Sequence, residues 1–223
     1  WGANSSYDTG WMSWCWKRHA GFDVVTYKGN GTAREIPHSL NKPPEMMWFK
    51  NRDSAREWAV YHKGLNGGTT PQNYHLHLEQ TTAEVARQSQ FNNTAPTSNH
   101  FTVGTDGDTN ENGDGIVAML FASVDGISKV GSFTNSGGTT TVSCGFQPRF
   151  VIVKCSGSSG NWYVYDTVRG INAGGEPTMN LNDDSASTTH TADDIDINSD
   201  GFTIPTSSSN IGFSDTHIFY AHA

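Results

Sequence analysis

Apolar residues along this chain fall in short runs between polar turns, and hardly anywhere at helical spacing. In the first half, runs at about 22–28, 33–38, 45–50, 57–62, 73–79, 99–103 and 116–124 read as strands, separated by turn residues such as GNG, NGG and DGD. PEMMWFK (44–50) and PRFVIVK (148–154) are continuous apolar runs, the pattern of strands covered on both sides. NYHLHLEQ (73–80) alternates, with Leu76 and Leu78 on one face and His75 and His77 on the other. The one stretch that fits a helix is TTAEVARQS (81–89), which has no counterpart later in the chain and reads as a local insertion. This density of short strands predicts an all-β chain of tandem antiparallel β-sandwich (jelly-roll or lectin-like) repeats.

The repeats are legible as fixed offsets. EWAVYHKGL (57–65) lies on NWYVYDTVR (161–169) at a shift of 104, with Trp58 on Trp162 and Tyr61 on Tyr165. At the same shift Pro44 meets Pro148 and Lys50 meets Lys154. VVTYKGNG (24–31) lies on VGSFTNSG (130–137) at 106, and NHFTV (99–103) on DGFTI (200–204) at 101. Small loop deletions in the second copy account for the drift. The shift of 101 also places VAMLFA (117–122) on IFYAHA (218–223), and a shift of 106 backwards places VAMLFA on WMSWCW (11–16). The expected organisation is therefore residues 1–20 as the closing strand of a preceding repeat, 21–125 as repeat 1 and 126–223 as repeat 2. In WMSWCWK, Met12, Trp14 and Trp16 share one face, and Trp11, Ser13 and Cys15 the other. Tryptophans that recur in both copies, Trp58 and Trp162, are expected in the core.

Composition narrows the partners. Charged residues are 16% and aromatics 11%, so the chain has apolar surface enough to fold rather than remain disordered. A net charge of −8 argues against nucleic acid or an anionic membrane surface as partner. No run approaches the length of a membrane-spanning helix, so no membrane insertion is expected. Cys15, Cys144 and Cys155 have no metal-type spacing and read as buried, reduced thiols, a Cys144–Cys155 bridge being the other reading. Asn4, Asn30 and Asn92 head glycosylation sequons.

Candidate chemistry is sparse. In DGDTNENGDG (106–115), Asp108, Asn110, Asn112 and Gly113 fit the opening of a calcium loop, but Met119 stands where the bidentate glutamate belongs. The second copy has Ser207, Ser209 and Ile211 where the first has Asp106, Asp108 and Asn110. A solvated connecting loop is the favoured reading; Asp106, Asp108, Asn110, Asn112 and Asp114 are the ligands if calcium binds. His75 and His77, on one side of one strand, have the spacing of a transition-metal chelate, against the plainer reading of two exposed histidines. Glu79 with Glu84, or Asp193, Asp194 and Asp196, offer acid pairs of the kind glycoside hydrolysis needs, yet none recurs between copies. No GxSxG elbow, phosphate loop or HExxH helix is present, so no catalytic residue is assigned and an enzyme is not expected. Trp48, Tyr74 and Phe91, aromatics found in one copy only, are the candidates for contact with a saccharide or receptor.

The motifs GFDVVTYKGNG (21–31), IPHSL (36–40), WAVYH (58–62), NNTAPTS (92–98) and WCWK (14–17) resemble repeat domains of tail-fibre and other virion-appendage proteins of marine bacteriophages, notably those of cyanobacteria and pelagic bacteria. The likeness runs strongly to residue 125 and more loosely beyond, where TVSCGF (141–146) replaces IPHSL. It implies a lectin-like sandwich, trimeric along a fibre axis, assembled in the bacterial host cytoplasm and displayed on the virion surface beside other virion proteins. It implies an adhesive role towards a bacterial surface glycan or protein. The alternatives are a purely structural appendage or capsid-decoration protein, and a glycan-degrading depolymerase.

Overall fold

The computed structural model describes residues 14–171, 175–189 and 193–223. In the first half the strands are β1 (Phe22–Lys28), β2 (Arg34–Pro37), β3 (Met46–Asn51), β4 (Ala59–His62), β5 (Tyr74–His77), β6 (Val85–Ala86), β7 (His100–Val103) and β8 (Gly115–Phe121). Two single helical turns, α1 (Gln88–Phe91) and α2 (Gly107–Asn110), flank β7. The second half holds β9 (Ser128–Asn135), β10 (Thr140–Ser143), β11 (Phe150–Cys155), β12 (Trp162–Asp166), β13 (Pro177–Asn180), β14 (Thr188–Thr189), β15 (Asp196–Ile197), β16 (Gly201–Ile204) and β17 (Asp215–His222). The fold is all-β, and every strand ladder is antiparallel.

Both halves lay their strands down in one order. The first large sheet runs β1-β8-β3-β4-β5-β6 and the second β9-β17-β11-β12-β13-β14. The small sheets β2-β7 and β10-β16-β15 also correspond, β15 being extra. Registers agree residue by residue with the sequence offsets. Met47 sits between Tyr61 and Leu120, and Val151 between Tyr165 and Ala221. Phe22 faces Phe121 as Ser128 faces His222. Arg34 faces Val103 as Thr140 faces Ile204.

The halves do not enclose separate cores. Alternate residues of β3 and β11 (Met46, Trp48, Phe150, Ile152) join Phe22, Phe121, Trp162 and Tyr220 in one cluster between the two large sheets. The opposite residues of the same strands face outward layers. Met47 and Phe49 pack beneath β2 and β7 with Ile36 and Phe101. Val151 and Val153 pack beneath β10 and β16 with Val142 and Phe202. Each large sheet is thus buried on both faces, which is why β3 and β11 read as unbroken apolar runs.

Several expectations change. TTAEVARQS forms no helix: Val85 and Ala86 pair with His75 and Tyr74 as the edge strand β6, and only Gln88–Phe91 turns helically. Backbone pairing to β5 decides this, and β6 matches β14 of the second half at the same register, Tyr74 facing Ala86 as Pro177 faces Thr189. It is therefore no insertion peculiar to the first half. In WMSWCWK, residues 11–13 lie outside the described residues, and residues 14–16 join no ladder. Their indoles still act together: Trp14 packs on Phe150, and Trp16 on Phe22, Phe121 and Phe150. Cys15 is exposed rather than buried, while Cys144 and Cys155 are buried, and all three are free thiols.

Candidate functional site

Two features stand apart from packing alone, and they lie on opposite faces of β5. The first is a groove of about 340 Å³ where the two large sheets meet at one end. Trp14, Trp16, Trp48 and Trp58 line it, with Leu78, Met119, Phe150, Ile152 and Leu181, and Glu79 stands at its rim. Alternation along β3 and β5 puts Trp48, Leu76 and Leu78 on the inter-sheet side. The indole nitrogens of Trp14 and Trp48 are buried without a hydrogen-bond partner. A buried orphan donor costs about 1–3 kcal/mol, so either indole would gain from an acceptor.

Trp58 sits differently from its counterpart. It precedes β4, is half-buried, and carries the Lys50 ammonium 5.7 Å from its ring centre. Trp162 is buried, and its Nε1 donates to the His77 carbonyl at 2.9 Å. The expectation that both are core holds for Trp162 only. The backbone around them is nonetheless the same: Trp58 N–H donates to the Glu79 carboxylate, and Trp162 N–H donates to the Asn182 side chain. Glu84, the other half of that candidate acid pair, instead receives the Asn66 N–H, so the two glutamates are held by different loops. In the second half, Asp194 is locked by Ser208, Ser209 and Asn210.

Of the three candidate receptor aromatics, the structure brings only Trp48 to the groove. Tyr74 packs part-buried against the inter-sheet cluster. Phe91 is 1% exposed on the opposite side of the sheet, between Phe49 and Tyr61, and is core. A period-2 reading could not place it, because it sits in the helical turn α1. Trp14, Trp16 and Trp58 were legible as tryptophans but not as groove walls, since strand order alone joins them.

The second feature lies on the other face of β5. His75 and His77 point there together, rings 4.7 Å apart. That face is not open: His75 is 2% exposed, and its Nδ1 has no partner. Burial, then the neighbouring His77 and Arg87, push the His75 imidazole down to about 4, so it is neutral at pH 7. Burial alone would lower His77 too, but Asp108 and Glu57 outweigh it and its pKa is raised. His77 Nε2 lies 3.2 Å from Glu57 Oε2 and 3.7 Å from Asp108 Oδ2. Arg87 bridges Asp106 and Asp108 at 3.3 and 3.8 Å.

The 106–115 loop does not converge as a calcium loop. Asp106 caps α2, accepting from Asp108 N–H, and Asp108 turns inward to Gln90 and His77. Asn110 spends its amide on the Thr32 and Gly104 carbonyls and accepts from Asn30 N–H. Asp114 is taken by Asn51 and Ser54, and Asn112 is exposed. The alternating oxygens thus serve separate partners, because the loop winds into a helical turn instead of curling round a centre.

The chain belongs to the family DUF7483, a domain of unknown function, whose model matches residues 3–223. No curated protein and no solved structure matches the chain.

Proposed function

We propose that this chain is an adhesive module of a phage tail fibre or similar virion appendage, and that its tryptophan-lined groove takes a saccharide of the bacterial surface. The groove is the observation that carries the reading. Flat indole faces match the apolar faces of pyranose rings, and the unpartnered Nε1 donors of Trp14 and Trp48 match sugar hydroxyls. Glu79 at the rim adds a carboxylate acceptor. The volume falls in the range of small-ligand sites, about 300–1,000 Å³. The likeness of the motifs to marine phage appendage repeats supplies the setting: a virion surface, a trimeric fibre and a bacterial host.

The test is a glycan array of host-envelope saccharides followed by tryptophan-fluorescence titration. Binding is expected to quench the indoles and to weaken about tenfold in Trp58→Ala, whose ring is half-buried. No binding, or binding unchanged in that variant, removes the adhesive reading. The second reading, a purely structural appendage, is favoured by Trp16, whose ring touches Phe22, Phe121 and Phe150 and fills the seam between the sheets. A trimer by light scattering without saccharide binding supports it. Release of oligosaccharides from host envelope supports the depolymerase.

A further inference from the structure

We infer that Glu57, His77 and Asp108 form a binding site for one divalent transition-metal ion, zinc being the fitting probe. This does not rest on the saccharide reading. One ligand atom from each residue lies within 4.8 Å of the other two. His77 Nε2 is 3.2 Å from Glu57 Oε2 and 3.7 Å from Asp108 Oδ2. Metal–ligand bonds of about 2.0–2.2 Å set tetrahedral ligand–ligand edges near 3.4 Å, which these distances bracket.

The close approach falls short of an aligned hydrogen bond. His77 Nε2 is buried and has no hydrogen-bond partner, although two carboxylate oxygens lie within 4 Å of it. Surrounding amides fix both carboxylates: Gln80 donates to Glu57 Oε1, leaving Oε2 beside His77, and Gln90 donates to the Asp108 Oδ2 that lies near His77. Outer partners of this kind orient metal ligands.

Charge points the same way. Glu57, Asp106 and Asp108 set three carboxylates against the guanidinium of Arg87, and with His77 neutral, as a metal ligand must be, two negative charges remain in a half-buried corner. A divalent cation neutralises them. His75, 2% exposed and with an unpartnered Nδ1, lies beside His77 with the two rings 4.7 Å apart. One imidazole and two carboxylates suit zinc and its first-row neighbours, and leave a position for water or an outside ligand.

The second half provides an internal comparison. At the ladder offsets, Asn161, Asn180 and Ser209 stand in place of Glu57, His77 and Asp108, and the ladder Tyr163–Asn180 repeats Ala59–His77. The same strand arrangement forms there without a charged residue at any of the three places. The charges of the first half are therefore not what the fold requires.

The chain, treated with chelator and dialysed, is titrated with zinc chloride by isothermal titration calorimetry, with cobalt absorption as the second reading. One equivalent per chain is expected, with a tetrahedral cobalt spectrum. Glu57→Gln and His77→Gln are each expected to weaken uptake at least tenfold, and Glu35→Gln, at the separate Glu35–His100 pair, to leave it unchanged. Because His77 is packed, Glu57→Gln, whose side chain is 46% exposed, decides the matter if His77→Gln unfolds. Absence of uptake at millimolar metal, or uptake undiminished in Glu57→Gln, overturns the site. Loss of saccharide binding leaves it standing.

Discussion

Trp162 Nε1 donates to the backbone carbonyl of His77 at 2.9 Å, tying the second half of the chain to the first. Trp162→Phe keeps most of the ring and leaves that carbonyl without its indole donor. A loss of about 1–3 kcal/mol in urea unfolding is expected. Trp162→Ala adds a cavity and should cost about 3–5 kcal/mol, whereas Trp58→Ala, at a half-buried rim position, should cost clearly less. Equal losses at the two tryptophans would contradict their different placement.

That hydrogen bond has company. His62 Nε2 lies 3.3 Å from the Phe219 carbonyl, Glu84 N–H donates to the Ser156 carbonyl, and Gly160 N–H to that of Thr81. Since the halves also share an apolar cluster, the chain should unfold in one cooperative transition by near- and far-ultraviolet circular dichroism. Residues 21–125 expressed alone would expose Phe22, Trp48 and Phe121 and should aggregate or self-associate. A monomeric, cooperatively folded fragment on a sizing column would refute this.

His62 gives an acid limit. It is buried and its pKa is pushed down to about 4, burial being the main cause. Its Nδ1 accepts from Gly64 N–H, so Nε2 carries the proton shared with Phe219. A base with a depressed folded pKa stabilises above its unfolded value and loses that contribution as pH falls. Between pH 6.5 and about 4 the loss should approach about 3 kcal/mol. His62→Gln should flatten the stability profile in that window; an unchanged slope would place the acid sensitivity elsewhere.

Lys154 gives the alkaline counterpart. It is fully buried, donates to the Cys155 and Thr81 carbonyls, and burial lowers its pKa to about 8. Its folded state sheds the proton first, so its contribution rises as pH climbs from about 8 to 10.5. Relative to Lys154→Met, the wild-type chain should gain about 3 kcal/mol across that window in urea titrations. A constant difference between the two proteins would show that Lys154 stays charged in the fold.

Much of the strand map was legible because its signals are local. The β1 range 22–28 was read as it stands, and β3, β4, β7 and β8 within a few residues, from apolar runs bounded by Gly, Asn and Asp. The alternation of NYHLHLEQ correctly separated Leu76 and Leu78 from His75 and His77. TTAEVARQS was misread because edge pairing to β5 is a long-range interaction that overrides local spacing. Trp58 differs from Trp162 for a related reason: matching positions share a backbone environment but not the layer packed upon it, while Phe91 is core because it sits in the helical turn α1.

By itself the sequence determined the all-β class, because strand signals are local, and its offsets of 106, 104 and 101 recur between the ladder registers of the two halves. Tertiary structure alone decided that the two large sheets close on each other, and that four tryptophans from distant segments meet in one groove. It also decided that Glu57, His77 and Asp108, read separately as part of no motif, a strand pair and a loop, meet within 4.8 Å. Such meetings depend on which faces pack in space, and no spacing along the chain encodes them.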